Sequence, residues 1–289
     1  MNILGNTKVL GVFGHPITHS LSPVMHNAAI EALNIDYVYV PFHVLPENLE
    51  QAVEGLRALS VAGVNVTIPH KERIIERLDK VGESAAQIRS VNTVINEDGR
   101  LKGETTDGPG FLRSAEAAWG KIDGARVLIL GAGGSAKAVA FALAGAGCRI
   151  VIANRTTERG VALAQALGEV FGQSRSSAVG LRGEELADEV RSAEVLVNTT
   201  SVGMYPDVDA IPLPPELLRR DLLVYDLVYN PSRTRLVSEA ESRGAQAVTG
   251  LRMLVYQGAL SFEMWTHVKA PVEVMENALN AHFARVRKQ

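Results

Sequence analysis

The stretch Arg126-Val127-Leu128-Ile129-Leu130-Gly131-Ala132-Gly133-Gly134-Ser135-Ala136 decides how this chain is read. Arg126 to Leu130 reads as a short buried strand and Lys137 to Ala146 as an Ala-rich helix, with the glycines forming the turn between them. Gly131, Gly133 and Ala136 have the G-x-G-x-x-A spacing of a dinucleotide site. The first glycine permits the tight turn, the second lets backbone approach a pyrophosphate, and the small third residue lets helix and strand pack closely. Ala132, Gly134 and Ser135 complete the loop. Its N–H groups and the positive end of the helix dipole suit a pyrophosphate.

A second strand, Arg149-Ile150-Val151-Ile152-Ala153, runs into Asn154-Arg155-Thr156. A site for NAD places Asp or Glu about 20 residues past the glycines to hold the ribose 2′-hydroxyl. Arg155 offers instead a planar, permanently charged fork suited to a phosphate. Thr156 adds a hydroxyl donor and Arg159 lies three residues on. The cofactor expected is therefore NADP.

At 289 residues the chain is long enough for two domains, and its 46% hydrophobic and 21% charged residues are those of a soluble globular protein. A net charge of −3 argues against nucleic acid as the main partner. The single cysteine, Cys148, excludes an intrachain disulfide and a cysteine-based zinc cluster, and its apolar setting fits a buried, inert thiol. The histidines include no H-E-x-x-H arrangement, so no metal is expected. Met1 to Lys8 shows no basic segment followed by an apolar one, which excludes an evident signal peptide. Val127 to Cys148 approaches membrane-spanning length, but Lys137 and three glycines interrupt it. A cytoplasmic protein without a membrane partner is expected.

Along the chain, strand and helix patterns alternate. Val9 to Phe13, Tyr37 to Val44 and Gly63 to Ile68 read as strands. Pro23 to Leu33, Glu47 to Leu59 and Lys71 to Leu78 read as helices. Val91 to Ile95 and Leu101 to Thr105 flank a segment whose Asp98-Gly99 marks a hairpin turn. After the glycine turn, Val195 to Val197 and Leu222 to Tyr225 are further short strands, and Met253 to Trp265 and Val272 to Val286 look helical. The fold class is α/β: an N-terminal α/β substrate domain with a mostly parallel sheet, then a Rossmann-type NADP-binding domain. The expected boundaries are 1–106, completed by 252–289, for the first domain and 107–251 for the second.

Three constellations carry chemistry. In Gly14-His15-Pro16-Ile17-Thr18-His19-Ser20-Leu21-Ser22-Pro23, Ser22 followed by Pro23 fits an N-cap and first helical position. Ser20 and Ser22 also suit an anionic group held at that helix N-terminus. In Asn65-Val66-Thr67-Ile68-Pro69-His70-Lys71, Lys71 falls in the first turn of the expected helix. The dipole disfavours a cation there by about 0.3–1 kcal/mol. A local rule broken beside a polar loop indicates function. In Gly103-Glu104-Thr105-Thr106-Asp107-Gly108, Asp107 suits an N-cap, or an acid–base partner for Lys71. Asn92 interrupts an otherwise apolar strand and suits a satisfied core amide.

Taken together, these motifs resemble the shikimate dehydrogenase family. The elements H-S-x-S-P-x-x-H-N, N-V-T-I-P-H-K, S-V-N-T, T-D-G-x-G-F, G-A-G-G-x-x-x-A and N-R-T occur in family order and cover nearly the whole chain, with further matches at Asn198 to Met204, Asp226 to Pro231 and Gly250 to Gln257. The resemblance implies that Lys71 and Asp107 form the catalytic pair. It implies that Ser20 and Ser22 hold the substrate carboxylate, and Thr67, Asn92 and Gln257 its ring hydroxyls, with Tyr229 closing over it. Asn154, Arg155, Thr156 and Arg159 match the adenosine-phosphate contacts, while Thr199, Thr200, Leu227, Gly250 and Met253 would line the nicotinamide side. The activity implied is reduction of 3-dehydroshikimate to shikimate with NADPH. Homodimerisation is open. The alternatives are a relative that also oxidises quinate, and a non-catalytic NADP-sensing protein. One departure is Thr105, where relatives often carry Asn.

Overall fold

The computed structural model describes residues 3–286. The chain divides into two compact units, one running up to Gly110 and resuming at Leu254, the other spanning Phe111–Met253.

The first unit is built on β1 (Lys8–Gly14), α1 (Ser22–Leu33), β2 (Tyr37–His43), α2 (Leu49–Ala58), β3 (Gly63–Val66), β4 (Lys80–Val81), α3 (Glu83–Ile88), β5 (Thr93–Glu97) and β6 (Arg100–Glu104). Its six strands lie in the order β2-β1-β3-β5-β6-β4. β1 pairs in parallel with β2 and β3, and β4 with β6, while β5 runs antiparallel to both its neighbours. The antiparallel pair β5–β6 is the expected hairpin. Asp98 (φ 52°) and Gly99 (φ 89°) both lie in the left-handed region, as a two-residue type I′ turn requires. β3 and β5 occupy the middle of the sheet, and all four residues of β3 are buried. On α1, Met25, His26, Ala29 and Ile30 form the buried face, one helical repeat apart, and Asn34 (φ 48°) ends the helix in a left-handed C-cap.

The second unit opens within α4 (Asp107–Trp119) and continues through β7 (Arg126–Leu130), α5 (Gly134–Gly145), β8 (Arg149–Asn154), α6 (Thr157–Phe171), β9 (Ser176–Gly180), α7 (Glu184–Ser192), β10 (Val195–Asn198), β11 (Leu223–Asp226), α8 (Arg235–Ser242) and β12 (Gln246–Thr249). Every pairing is parallel, in the order β12-β11-β10-β7-β8-β9. Relative to β7 this is the doubly wound 3-2-1-4-5-6 arrangement of a Rossmann fold, with its switch point between β7 and β10. The two-residue strand period sorts the core. Val127 and Ile129 enter one apolar layer with Ala136, Val139 and Leu143 of α5, and Leu128 and Leu130 enter the other with Leu186 and Val190 of α7. Cys148 is buried in the first layer, and burial raises its thiol pKa, so it stays a protonated, inert thiol.

The chain then returns to the first unit through α9 (Gly250–Thr266) and α10 (Val272–Val286), the latter packed on α1. Trp265 seats α9 on the first sheet: its indole N–H donates to the Val94 carbonyl at 2.9 Å. A Cβ on Gly63 would come within 2.2 Å of that indole nitrogen, so glycine is required there. Gly110 also faces a close neighbour, since a Cβ there would lie 2.7 Å from the backbone nitrogen of Gln257.

Two outcomes follow. Gly110→Ala forces backbone apart, and overpacking of this kind typically costs about 1–3 kcal/mol, readable as a lower urea midpoint at unchanged m-value. His26 is fully buried, stacked on Tyr39 with ring centroids 4.2 Å apart, and burial lowers its pKa to about 3. Between the unfolded-state value near 6.5 and that value, the unfolded chain binds a proton that the folded chain refuses. The contribution is therefore full above the unfolded value and lost as pH falls, by up to about 1.4 kcal/mol per pH unit. Urea unfolding at a series of pH values should give a shallower acid slope for His26→Phe. An identical slope would assign the acid lability to other groups.

Candidate active site and cofactor site

In the first unit the third and second constellations meet. Lys71 Nζ donates to Asp107 Oδ2 at 2.6 Å, and Asn92 Nδ2 donates to the other carboxylate oxygen, Oδ1, at 2.8 Å. The lysine side chain is 23% exposed and the aspartate 10%, so the pair is shielded but reachable. Asp107 is the first residue of α4, and its carboxylate is occupied by Lys71 and Asn92. Asn92 is a satisfied amide as well as a partner of Asp107. Its Oδ1 accepts from the Thr106 backbone N–H at 2.7 Å, which fixes which end of the amide faces the carboxylate. Gln257, on α9, accepts from Asn92 through Oε1 at 3.2 Å and donates to the Leu254 carbonyl at 2.8 Å.

Two local readings need correction. Lys71 does not open an α-helix: Arg73–Arg77 is a five-residue 3-10 segment, and Lys71 sits in the turn before it. The Lys71 carbonyl accepts from Val91 N–H at 2.9 Å, and the turn is pinned by buried Ile74. The helix-dipole argument therefore lapses, and the Asp107 carboxylate is what holds the ammonium. Nor is Ser22 the N-cap of α1. Leu21 holds that position without a side-chain cap, Ser22 is the first helical residue, and Pro23 follows it. Ser22 is buried and neighbours the Tyr39 hydroxyl as a hydrogen-bond partner, while half-buried Ser20 accepts from Ser22 N–H at 3.4 Å. Thr67 lies at the end of β3, half-buried, its N–H bonded to the Phe13 carbonyl at 2.9 Å. The hydroxyl of Thr105 is buried without a partner, so its departure from the family pattern leaves an unmet hydrogen bond.

In the second unit, α5 begins at Gly134, three residues earlier than the sequence pattern indicated, with Gly133 as its N-cap. Gly131 takes φ 108°, and a Cβ there would lie 2.6 Å from the Thr199 hydroxyl across the switch point. Gly133, Gly134 and Ser135 are exposed, and half-buried Ala132 precedes them. Nothing lies within 4 Å of a Cβ built on Gly133 or Gly134. The protein itself therefore does not demand glycine there. The space left over the bare N–H groups at the start of α5 is what an anionic group would need. Ala136 is fully buried against the sheet.

At the end of β8, Asn154 Nδ2 donates to the Thr156 carbonyl at 2.8 Å, and Thr156 is the N-cap of α6. Arg155 and Arg159 are exposed and enter no ion pair among the described residues. Two open guanidinium groups beside a helix start fit a phosphate, so the residues present suit a phosphorylated dinucleotide.

The loops after β10 and β11 are tied by a group the sequence reading did not assign. Asp226 is fully buried and accepts from Asn198 Nδ2 at 2.9 Å, Thr234 Oγ1 at 2.6 Å and Val228 N–H at 3.1 Å; burial raises its pKa. Asn198 in turn accepts from the Thr200 hydroxyl at 2.7 Å, and Thr199 donates to the Leu130 carbonyl at 2.7 Å. Leu227 meets Gly250 so closely that a Cβ on the glycine would lie 2.1 Å from the Leu227 carbonyl oxygen. Met253 is buried in the first apolar layer, and Tyr229 is half-buried, with burial raising its phenol pKa. A pocket lined by Lys121, Asp123, Arg149 and Glu194 opens at the opposite, N-terminal edge of this sheet, away from the switch point. Among the described residues no group of three or more metal-ligating side chains converges, and no helix is long and apolar enough to cross a membrane.

Family comparisons agree with this layout. The description "Shikimate dehydrogenase substrate binding domain" matches residues 12–94, "Shikimate / quinate 5-dehydrogenase" residues 113–205, and "Shikimate 5'-dehydrogenase C-terminal domain" residues 250–279. The chain is 50% identical to the NADP(+) shikimate dehydrogenase of Methanopyrus kandleri, over 98% of both chains. Among solved structures, a shikimate dehydrogenase in complex with NADP+ is 43% identical over 98% of both chains, with a TM-score of 0.92. The Thermus thermophilus shikimate 5-dehydrogenase with NADP(H) and shikimate is 40% identical over 95% of this chain and 99% of that one, at a TM-score of 0.86. With a mixed α/β unit beside a Rossmann-type one, a carboxylate-held lysine and these relatives along almost its full length, the chain belongs to the shikimate dehydrogenase family.

Proposed function

We propose that this chain reduces 3-dehydroshikimate to shikimate with NADPH, reversibly, on the route to chorismate and the aromatic amino acids. The observation that carries the mechanism is the Lys71–Asp107 contact at 2.6 Å, with Asn92 on the second carboxylate oxygen at 2.8 Å. Bound NADPH supplies the hydride that reduces the substrate ketone. Lys71 donates a proton to the alkoxide that develops at C3, so the ketone gains one hydride and one proton. Asp107 keeps the ammonium directed and Asn92 keeps the carboxylate directed. A positioned acid–base group of this kind contributes about 10²–10⁴-fold.

Ser20 and Ser22 are assigned to the substrate carboxylate, and Thr67, Asn92 and Gln257 to its ring hydroxyls, with Tyr229 covering it. For Asn92 and Gln257 the reading is supported by their contact with each other and, through Asn92, with Asp107. The Gly131–Ala136 loop is assigned to the pyrophosphate and Asn154, Arg155, Thr156 and Arg159 to the 2′-phosphate end. Thr199, Thr200, Leu227, Gly250 and Met253 are assigned to the nicotinamide side. A small substrate dense in hydroxyls is recognised by many directional hydrogen bonds, and such a site rejects an analogue lacking one by roughly 10⁴–10⁵-fold. The activity is placed in the cytoplasm, a setting that suits a reduced cofactor and a single unpaired cysteine. Homodimerisation stays open, and sedimentation equilibrium distinguishes a homodimer from a monomer.

Lys71→Ala should lower kcat by about 10²–10⁴-fold with little change in KM, followed as NADPH absorbance with shikimate and NADP+ or in the reverse direction. Turnover near wild type would remove Lys71 from the chemistry, and an inactive wild-type protein would favour a cofactor-sensing role. Arg155→Ala should raise KM for NADPH about tenfold or more while leaving NADH use unchanged. Equal losses with both cofactors would contradict the phosphate assignment. In wild type, kcat/KM for shikimate should far exceed that for quinate; comparable values would favour the relaxed quinate/shikimate enzyme.

A further inference from the structure

We infer that Ser261, buried on α9, is a positioning residue for the Lys71–Asp107 pair, acting through a directed chain of hydrogen bonds. The inference rests on the reading of that pair as catalytic. Ser261 follows Gln257 by one helical turn and shares its face. It is fully buried, as are Thr93 and Thr106, and its hydroxyl oxygen lies 3.0 Å from Asn65 Nδ2, 2.7 Å from Thr93 Oγ1 and 3.2 Å from Thr106 Oγ1. It therefore joins α9 to β3, to β5 and to the segment that enters α4.

The sense of each bond can be assigned from fixed donors. The Tyr39 hydroxyl donates to Asn65 Oδ1 at 2.8 Å, so the amide nitrogen of Asn65 faces the other way, toward the Asn92 carbonyl and Ser261 Oγ. At the far end, Thr106 N–H donates to Asn92 Oδ1 at 2.7 Å, which turns Asn92 Nδ2 toward Asp107. Between these ends Thr93 donates to Asn92 Oδ1 at 3.1 Å. The Ser261 proton then has three acceptors in reach, Thr93 Oγ1 at 2.7 Å, the Gln257 carbonyl at 3.1 Å and Thr106 Oγ1 at 3.2 Å, and the shortest contact takes it. The result is one polarity throughout: Tyr39 to Asn65, Asn65 to Ser261, Ser261 to Thr93, Thr93 to Asn92, Asn92 to Asp107.

Bonds aligned head to tail in a low-dielectric interior strengthen one another, and here every bond points toward the carboxylate that holds Lys71. Removing the Ser261 hydroxyl takes out the short middle link. Asn65 keeps the Asn92 carbonyl and a longer 3.3 Å contact to Thr93 Oγ1, but Thr93 loses its 2.7 Å partner and its own proton is held less firmly toward Asn92. On its Oδ1 side the orientation of Asn92 then rests mainly on Thr106, with Gln257 and Asp107 still accepting from Nδ2.

The experiment compares Ser261→Ala, Asp107→Asn and the double variant in full-length protein, measuring kcat, both KM values and thermal midpoints. Ser261→Ala should lower kcat about tenfold, the factor a single hydrogen bond of ordinary strength represents, with KM for NADPH unchanged. Ser261→Thr, which keeps the hydroxyl, should recover most of that loss. In the Asp107→Asn background Ser261→Ala should add nothing to the kinetic loss, because the group it positions is gone. A wild-type kcat in Ser261→Ala beside a slow Asp107→Asn would overturn the inference while leaving the catalytic pair intact. Fully additive losses would overturn it too, since Ser261 would then act elsewhere. Near-normal turnover of Asp107→Asn would instead defeat the catalytic reading beneath it.

Discussion

A carboxylate with both oxygens engaged is the constraint on which the first unit depends. Asp107 is almost out of water, and a charge so placed is costly unless paired and hydrogen-bonded. Lys71 supplies the opposite charge and Asn92 the second donor, from two segments far apart in sequence. Satisfying Asp107 therefore fixes the end of β3 against the start of α4. Strand β5 must come between them because Asn92 immediately precedes it. The fold around the pair is thus organised by the need to keep one buried negative charge answered on two sides.

The second unit solves a different problem with similar means. Its parallel sheet brings the loops after β7, β10 and β11 to one edge, where backbone has to stay open for a ligand. Asp226 gathers three donors at that edge, and Asn198 passes the connection to Thr200. The loops after β10 and β11 are tied by these buried polar contacts, while Ala132 and Leu227 pack on the apolar layer beneath. Where backbone segments do touch, at Leu227 and Gly250, the absence of a side chain is what makes the approach possible.

The sequence reading was strongest where local pattern and tertiary demand coincide. Val127 to Leu130 is apolar at every position because both faces of the central strand are covered, and the strand, glycine turn and helix that follow could be read directly. The two edge strands of the second sheet were not legible. Ser176–Gly180 and Gln246–Thr249 each bury a single valine, so they carry no apolar run. The Lys71 segment failed for another reason: its helix-like spacing is real, but the Lys71 carbonyl is claimed by Val91 from a distant segment, and a tertiary bond overrode local preference. Ser261 and Asp226 escaped because a single buried serine or aspartate gives no periodic signal. Only the i, i+4 relation of Ser261 to Gln257 marked it at all.

The open space over Gly133 and Gly134 separates two kinds of selection. A methyl group at either position would touch no part of the folded chain, so neither glycine is needed to keep the protein intact. Under the proposed assignment of this loop to the pyrophosphate, what they protect is room for an occupant. A library screened for heat resistance alone would drift at these two positions, whereas one screened for turnover would hold them, and the contrast would map where the protein ends and its guest begins.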